Sequence, residues 1–288
     1  MSRITHAFKR AWHAVTRSKT AIIGLTIFIA VVLLTLLAPV IAPHPVDEMN
    51  VGPTLQQPGK AFPLGTDMYG RDVFSRILMG ASVSLRIALT VVGLAMLIGI
   101  PLGTIAGYAG GFAGAFIMRV VDVMLCFPWV MVALCVAAIT GPGEQVVVIS
   151  LTFAYIPTFV RLMQGVVLSV REQEYIGAAI VTGESRWSVI ARYILPNCIA
   201  PLIVEATLVM SFVILEEAAI SYLGVGIQPP VPSWGVMLSE GANYIWNAPF
   251  LCIFPGIAII ITVLGVNLFG DGLRDILDPR YMGGLREV

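Results

Sequence analysis

Three glutamates lie within an apolar stretch of this sequence, and they are the residues best placed to do chemistry. Glu205 and Glu216 are eleven positions apart, so on a helix they share a face and lie about 16 Å apart along the axis. Glu217 follows directly. An ionised side chain at membrane depth is costly and is therefore a candidate functional group. We expect these carboxylates to line an aqueous path that favours cationic groups; pairing with a partner subunit is the alternative.

A second pair of charged residues lies in another apolar stretch. Arg119 and Asp122 are three positions apart, so both face the same side of a helix. The spacing predicts a structural ion pair near the end of that helix.

The residue types that catalysis and metal binding require are poorly placed. The three histidines, His6, His13 and His44, lie outside the apolar cores, which argues against an intramembrane serine–histidine dyad or a histidine metal site. The four cysteines show no Cys-x-x-Cys spacing. The Gly-Lys pair at residues 59–60 lacks the rest of a nucleotide-binding loop. We expect no catalytic residue, no metal and no cofactor bound by this chain.

Composition places the chain in a membrane. Of its 288 residues, 58% are hydrophobic and 12% are charged, and the mean hydropathy is +0.90. A soluble domain needs more polar surface than this composition supplies. The net charge is zero, which argues against a nucleic-acid partner. The sequence indicates an integral membrane protein surrounded by a lipid bilayer.

Six apolar stretches are close to the roughly 20 residues that a helix needs to cross the hydrocarbon core. They are residues 21–42, 84–108, 115–139, 146–167, 199–220 and 250–269. We therefore predict an all-α membrane protein with six transmembrane helices.

Basic residues set the predicted orientation. Five of them and no acidic residue lie in residues 1–20, which places the N-terminus in the cytoplasm, and six crossings return the C-terminus to the same side. The predicted organisation is a cytoplasmic segment (1–20), a first helix (21–42), an extracytoplasmic loop (43–83), a five-helix core (84–271) that contains a cytoplasmic loop at 168–197, and a cytoplasmic tail (272–288).

Glycine and proline patterns predict how the helices pack. Gly99, Gly103, Gly107 and Gly111 repeat the G-x-x-x-G step, which lets two helix backbones approach closely. The later glycines also suit a tight turn into the third helix. Pro128 lies within the third apolar stretch and is expected to kink it.

The outer loops carry two further patterns. Arg71 and Asp72 are predicted to open a short outer helix that lies on the membrane surface or against the bundle. Tyr222, Trp234, Tyr244 and Trp246 are placed for an interfacial aromatic belt, or for contact with a protein that delivers cargo.

A polar insertion at residues 174–196 interrupts the apolar pattern and reads EYIGAAIVTGESRWSVIARYILP. Apolar residues at i, i+3, i+4 and i+7 from Trp187 predict an amphipathic helix that Ser185 caps and Pro196 ends. Gly183 would separate it from a first short helix at 174–182. Two short helices at a glycine elbow would form a surface that another protein can grip. An interfacial linker without a partner is the alternative.

This insertion resembles the EAA loop of ABC importer permeases, through which the membrane subunit contacts its ATPase. The family pattern is Glu-Ala-Ala, three residues, Gly, nine residues, and Ile-x-Leu-Pro. The matching positions are Ala178, Ala179, Gly183, Leu195 and Pro196, and the departures are Gly177 and Tyr193. Arg186 and Trp187 complete the set of candidate coupling residues. Because Ala178 and Ala179 have small side chains, they are expected to form a slim docking side that a partner can approach closely.

Other stretches extend the resemblance over nearly the whole chain. They are LGTDMYGRDVFSRILMGASVSLRI (64–87), MRVVDVML (118–125), SYLGVGIQPPVPSWGVML (221–238) and FGDGLRDILDPR (269–280). These stretches are similar to the C-type permease of the dipeptide, oligopeptide and nickel importers.

The resemblance implies a type I ABC importer fold in the inner membrane of a prokaryote. It also implies a B-type permease partner in a heterodimer, two ATPases that hold ATP and magnesium, and an extracytoplasmic binding protein. The chain would then be a transport subunit rather than an enzyme, with a small peptide, a glutathione-like compound or a metal chelate such as nickel as cargo. An ion-driven secondary transporter is the alternative from another class, and it predicts paired repeats that the sequence does not show.

Overall fold

The computed structural model describes residues 19–277, and the regular elements in that range are helices. They are α1 (Lys19–Ile41), α2 (Val73–Tyr108), α3 (Gly111–Leu125), α4 (Trp129–Thr140), α5 (Glu144–Arg171), α6 (Glu174–Val181), α7 (Arg186–Val189), a π-helical turn (Ile190–Ile194), α8 (Leu195–Tyr222), α9 (Trp234–Ala242) and α10 (Phe250–Leu277). Most of the predicted N-terminal segment and residues 278–288 of the predicted tail lie outside the described residues.

Five helical runs in the described range are long and apolar enough to cross a membrane. They are α1, α2, α5, α10 and the run from α7 through α8. The sixth predicted crossing differs from a straight helix, because α3 and α4 meet at an angle of 83°. Pro128 directly precedes α4 and has no N–H to continue the hydrogen-bond ladder of α3. The apolar stretch 115–139 is therefore two helices separated by a sharp bend and not one straight helix.

The second spanning helix begins eleven residues before the predicted position, at Val73 instead of Ser84. Asp72 caps it by accepting hydrogen bonds from the backbone N–H groups of Phe74 (3.3 Å) and Ser75 (3.2 Å). The outer helix expected after Asp72 is therefore the first three turns of α2. Helix α2 therefore begins within the segment 43–83 that is predicted to be extracytoplasmic.

Three glycines of the predicted repeat make the expected close approach, and the helix that they meet is α5; the fourth, Gly111, meets nothing within 4 Å. A Cβ atom built on Gly99 would lie 2.6 Å from Cβ of Phe159, and one on Gly103 would lie 2.6 Å from Cβ of Met163. Gly107 makes the same approach to Val167 at 2.8 Å. These distances leave no room for a side chain. The α2–α5 contact is therefore a backbone-to-backbone approach that forms the centre of the bundle.

Candidate functional site

Residues 174–189 form a two-helix knob at one end of the bundle. Helix α6 ends near Thr182, and Gly183 follows with φ +85°, a left-handed conformation that glycine adopts without strain. The Ser185 hydroxyl then caps α7 by accepting from the N–H of Ser188 at 3.2 Å. The elbow at Gly183 and the cap at Ser185 are both as predicted.

The inner side of the knob packs on the helix bundle. Ile176 and Val189 of the knob and Ile194 of the following π-helical turn are fully buried, and Ala179 is 6% exposed. The prediction that Ala178 and Ala179 together form the slim docking side is therefore wrong for Ala179. Because the two alanines are consecutive on a helix, they point about 100° apart, and only Ala178 faces outward.

The outer side of the knob exposes large apolar side chains. Trp187 is 81% exposed and Val181 is 88% exposed, and Ile180 and Arg186 are exposed beside them in the sequence. Gly177, at the position where the family pattern has glutamate, is also exposed. Exposed large apolar side chains grouped in this way are typical of a surface that contacts another protein or a membrane. The outer side of the knob is thus suited to binding another protein.

The helix that leaves the knob does not end at Pro196, contrary to the prediction. Helix α7 passes through the π-helical turn directly into α8, and Pro196 lies in the first turn of α8. A proline is tolerated there because the π turn already breaks the regular i to i−4 ladder. Tyr193, which replaces the family's isoleucine, packs near Tyr175 with ring centroids 6.4 Å apart. Helix α7 of the knob and the glutamate-bearing helix α8 thus form one continuous helical rod.

The structure separates the three glutamates on α8. Glu217 is fully buried and accepts hydrogen bonds from the hydroxyls of Ser84 (2.8 Å) and Ser221 (2.9 Å). A carboxylate enclosed in this way holds α2 against α8 and cannot face an aqueous path. The prediction that Glu217 lines a path is therefore wrong.

The other two glutamates remain partly exposed. Glu216 accepts a hydrogen bond of 2.9 Å from the phenol of Tyr155 on α5. Glu205 lies about three turns nearer the knob, in a cleft of about 400 Å³ that Arg274 also lines. A carboxylate in a spanning helix avoids the lipid. Glu205 and Glu216 therefore remain candidates for lining a translocation path.

The predicted ion pair between Arg119 and Asp122 is wrong. Asp122 instead pairs with Arg161 of α5, with 2.7 Å between the guanidinium nitrogen and the carboxylate oxygen. The long side chain of Arg161 reaches across to α3, and the pair ties α3 to α5. Both side chains are about half exposed, so the contribution to stability is small.

A buried cluster of four charges at the opposite end of the bundle was not predicted from the sequence. We call it the outer clamp, and it consists of Asp67, Arg71, Arg76 and Glu240. Arg71 lies 2.6 Å from Asp67 and 3.0 Å from Glu240, and Arg76 lies 3.0 Å from Glu240. Both arginines are 1% exposed or less. The clamp joins the loop before α2 to α9.

Trp234 also belongs to this buried region and not to an aromatic belt. It is 2% exposed, and its indole N–H donates to the carbonyl of Ile77 at 3.2 Å. Trp246, in contrast, is 94% exposed. The sequence signal for the clamp is the concentration of charged residues at positions 67–76. A predicted helix start at Arg71 and Asp72 does not explain all of these charges.

Comparison with known proteins identifies the family. Residues 99–283 match the family described as binding-protein-dependent transport system inner membrane component. Residues 7–58 match the N-terminal transmembrane domain of oligopeptide transport permease C. The chain belongs to this permease family. Within it, the chain is a C-type subunit of the dipeptide and oligopeptide ABC permeases.

Curated relatives cover nearly the whole permease. A dipeptide transport system permease protein of Alkalihalophilus pseudofirmus is 41% identical, across 95% of this chain and 90% of that protein. A di/tripeptide transport system permease protein of Pseudomonas aeruginosa is 40% identical, across 94% and 92%. A glutathione transport system permease protein of Pectobacterium atrosepticum is 42% identical, across 81% and 76%.

Solved structures agree on the permease fold. Inward-facing structures of the MetNI methionine ABC transporter match with a TM-score of 0.58, across 70% of this chain and 97% of the matched chain, at 16% identity. The permease therefore has the type I importer fold. It is a multi-pass protein of the bacterial inner membrane and a transport subunit, not an enzyme.

Proposed function

We propose that this permease couples ATP hydrolysis by partner subunits to the inward movement of short peptides. The observation that carries the proposal is the knob, whose outer side exposes Trp187 and Val181 and whose helix continues into the spanning helix α8. A partner that moves the knob therefore moves the helix that bears Glu205 and Glu216. An ATPase bound at the knob would use this rod to switch the path between its two openings.

The proposed assembly contains a B-type permease, two ATPases that hold ATP and magnesium, and an extracytoplasmic binding protein. The knob end would face the cytoplasm, together with both termini. Arg171, Arg186 and Arg192 lie at that end, in agreement with the positive-inside rule. A cysteine at Ser185 should react with an impermeant thiol reagent only from the cytoplasmic side, and one at Asn243 only from outside; the reverse would overturn this orientation.

The proposed cargo is a peptide with a free amino terminus. The names of the relatives include dipeptide, di/tripeptide and glutathione transport. Glu216 with its Tyr155 partner, and Glu205 in the cleft, would offer negative charge along the path. In a region of low effective dielectric, this charge favours an ammonium group.

Reconstitution tests the proposed function directly. The permease is co-expressed with the partner subunits from neighbouring reading frames and incorporated into proteoliposomes with the binding protein outside. Uptake of radiolabelled alanyl-alanine should require ATP on the ATPase side and should stop when the ATPase cannot hydrolyse it. Uptake driven by an ion gradient without ATP would refute the proposal and favour the secondary transporter.

A further inference from the structure

A cleft of about 400 Å³ lies where the start of α8 meets the ends of α5 and α10. Its walls are mainly apolar and come from Leu162, Pro201, Val204 and Leu208. Two charged side chains, Glu205 and Arg274, line it as well. Small-molecule sites typically occupy 300 to 1,000 Å³ and combine apolar walls with a few polar groups. The cleft has the size and the lining of such a site.

The two charges in the cleft have no partner within residues 19–277. Neither Glu205 nor Arg274 forms an ion pair or a side-chain hydrogen bond in that range. Arg161 on α5 is paired with Asp122 at 2.7 Å. A half-buried carboxylate without a partner is destabilising unless a cation or hydrogen-bond donor reaches it. The cleft therefore presents one half-buried negative group that has no partner in this range, Glu205, together with the exposed positive group of Arg274.

We propose that this cleft binds a small zwitterion, with its ammonium group at Glu205 and its carboxylate at Arg274. A simple cation would be repelled by Arg274 and a simple anion by Glu205, whereas a molecule with both charges satisfies both side chains. Leu162, Val204 and Leu208 would contact its short apolar side chains. A dipeptide has the required ends and fits the volume. The inference rests on the proposed function, because it makes the cleft a cargo station near the knob end.

Thiol protection in the intact transporter tests the site. Val204→Cys places a thiol in the cleft, in a background in which Cys126, Cys135 and Cys252 are replaced by serine. The complex is labelled with a charged methanethiosulfonate from the knob side, in inverted membrane vesicles. If the dissociation constant is on the order of 1 mM, about 10 mM alanyl-alanine should slow the labelling about tenfold. N-acetyl-alanyl-alanine amide, which carries neither charge, should not slow it.

Two charge variants sharpen the test. In Glu205→Gln, N-acetyl-alanyl-alanine, which lacks the ammonium group, should protect the thiol as well as alanyl-alanine does. In Arg274→Gln, alanyl-alanine amide, which lacks the carboxylate, should protect it equally well, because each variant removes the need for one charge. Glu48→Gln, an exposed site in the outer loop, is the matched control and should keep the preference for the zwitterion. A loss of stability alone would reduce labelling protection without exchanging these preferences.

The outcomes also separate this inference from the proposed function. If the thiol of Val204→Cys cannot be labelled in the assembled complex, another subunit fills the cleft and the inference is overturned. Equal labelling with and without alanyl-alanine would overturn it too. ATP-driven uptake of alanyl-alanine in the proteoliposomes that carry the binding protein outside would in either case leave the proposed function standing, and its absence would contradict that function instead.

Discussion

A single guanidinium nitrogen of Arg71 lies 3.1 and 3.0 Å from the two carboxylate oxygens of Glu240, across 169 positions of the chain. Glu240 also accepts from Arg76 at 3.0 Å, so one carboxylate holds two buried arginines. Removing one partner from such a buried cluster leaves the remaining side chains without a compensating opposite charge. The outer clamp therefore makes the loop before α2 and helix α9 one structural unit.

Removing Glu240 should unfold this unit. We expect Glu240→Ala to lower the stability of the purified complex by about 3–5 kcal/mol, because Arg71 and Arg76 lose a shared partner. Thermal unfolding followed by size-exclusion chromatography measures the effect. Glu48→Ala, at an exposed site in the same outer region, is the control. Equal midpoints for the two variants would show that the clamp is not stabilising.

The glycine elbow of the knob should not accept proline. Proline fixes φ near −65°, far from the +85° observed at Gly183, so Gly183→Pro should distort the knob and reduce co-purification of the ATPases. Gly59→Ala, in an outer loop, should leave co-purification unchanged. Full co-purification and full uptake by Gly183→Pro would refute the role of the knob in coupling.

Trp187 should contribute to binding and not to folding. Because its side chain is 81% exposed, Trp187→Ala should leave thermal stability unchanged but weaken ATPase binding by about 2 kcal/mol, roughly thirtyfold. Ala179→Glu should behave in the opposite way, since it buries a charge beneath the knob. Affinity measured by titrating detergent-solubilised permease with purified ATPase distinguishes the two. A stability loss in Trp187→Ala would argue for packing instead.

A methyl group at Gly103 should disturb the bundle. The added Cβ would lie 2.6 Å from both Cβ of Met163 and the carbonyl oxygen of Val160, so Gly103→Ala must push α2 and α5 apart. We expect a loss of about 1–3 kcal/mol and reduced accumulation in the membrane. Gly93→Ala on the same helix meets nothing within 4 Å and is the matched control. Similar accumulation of both variants would contradict the close approach.

The charge of Glu216 should affect cargo selectively. Glu216→Gln keeps the shape of the side chain and its contact with Tyr155 but removes the negative charge. We expect uptake of a cationic peptide to fall about tenfold relative to a neutral N-acetylated analogue. Glu217→Gln changes a buried side chain that bonds Ser84 and Ser221, so it should reduce uptake of both peptides equally. Equal loss for both peptides in Glu216→Gln would remove Glu216 from the path.

The sequence predicted the features that depend on local patterns. Hydropathy located the spanning segments, the G-x-x-x-G step predicted a close approach between helices, and Gly183 predicted the elbow. The errors concern which neighbour a side chain meets. Periodicity places Glu217 on a helix face but does not reveal that Ser84, 133 positions away, encloses it. The same limit explains why helical spacing predicts a pair between Asp122 and Arg119, whereas Asp122 in fact pairs with Arg161.

The continuous helical run from Arg186 to Tyr222 fixes a register between the docking surface and the carboxylates. Each residue of an α-helix advances the chain by about 1.5 Å and turns it by about 100°. Inserting one alanine between Leu195 and Glu205 would therefore rotate both carboxylates by more than a quarter turn relative to Trp187. The segment between the knob and Glu205 is thus expected to tolerate substitutions but not insertions or deletions. The outer loop at residues 57–61 lies outside this rod and should accept changes in length.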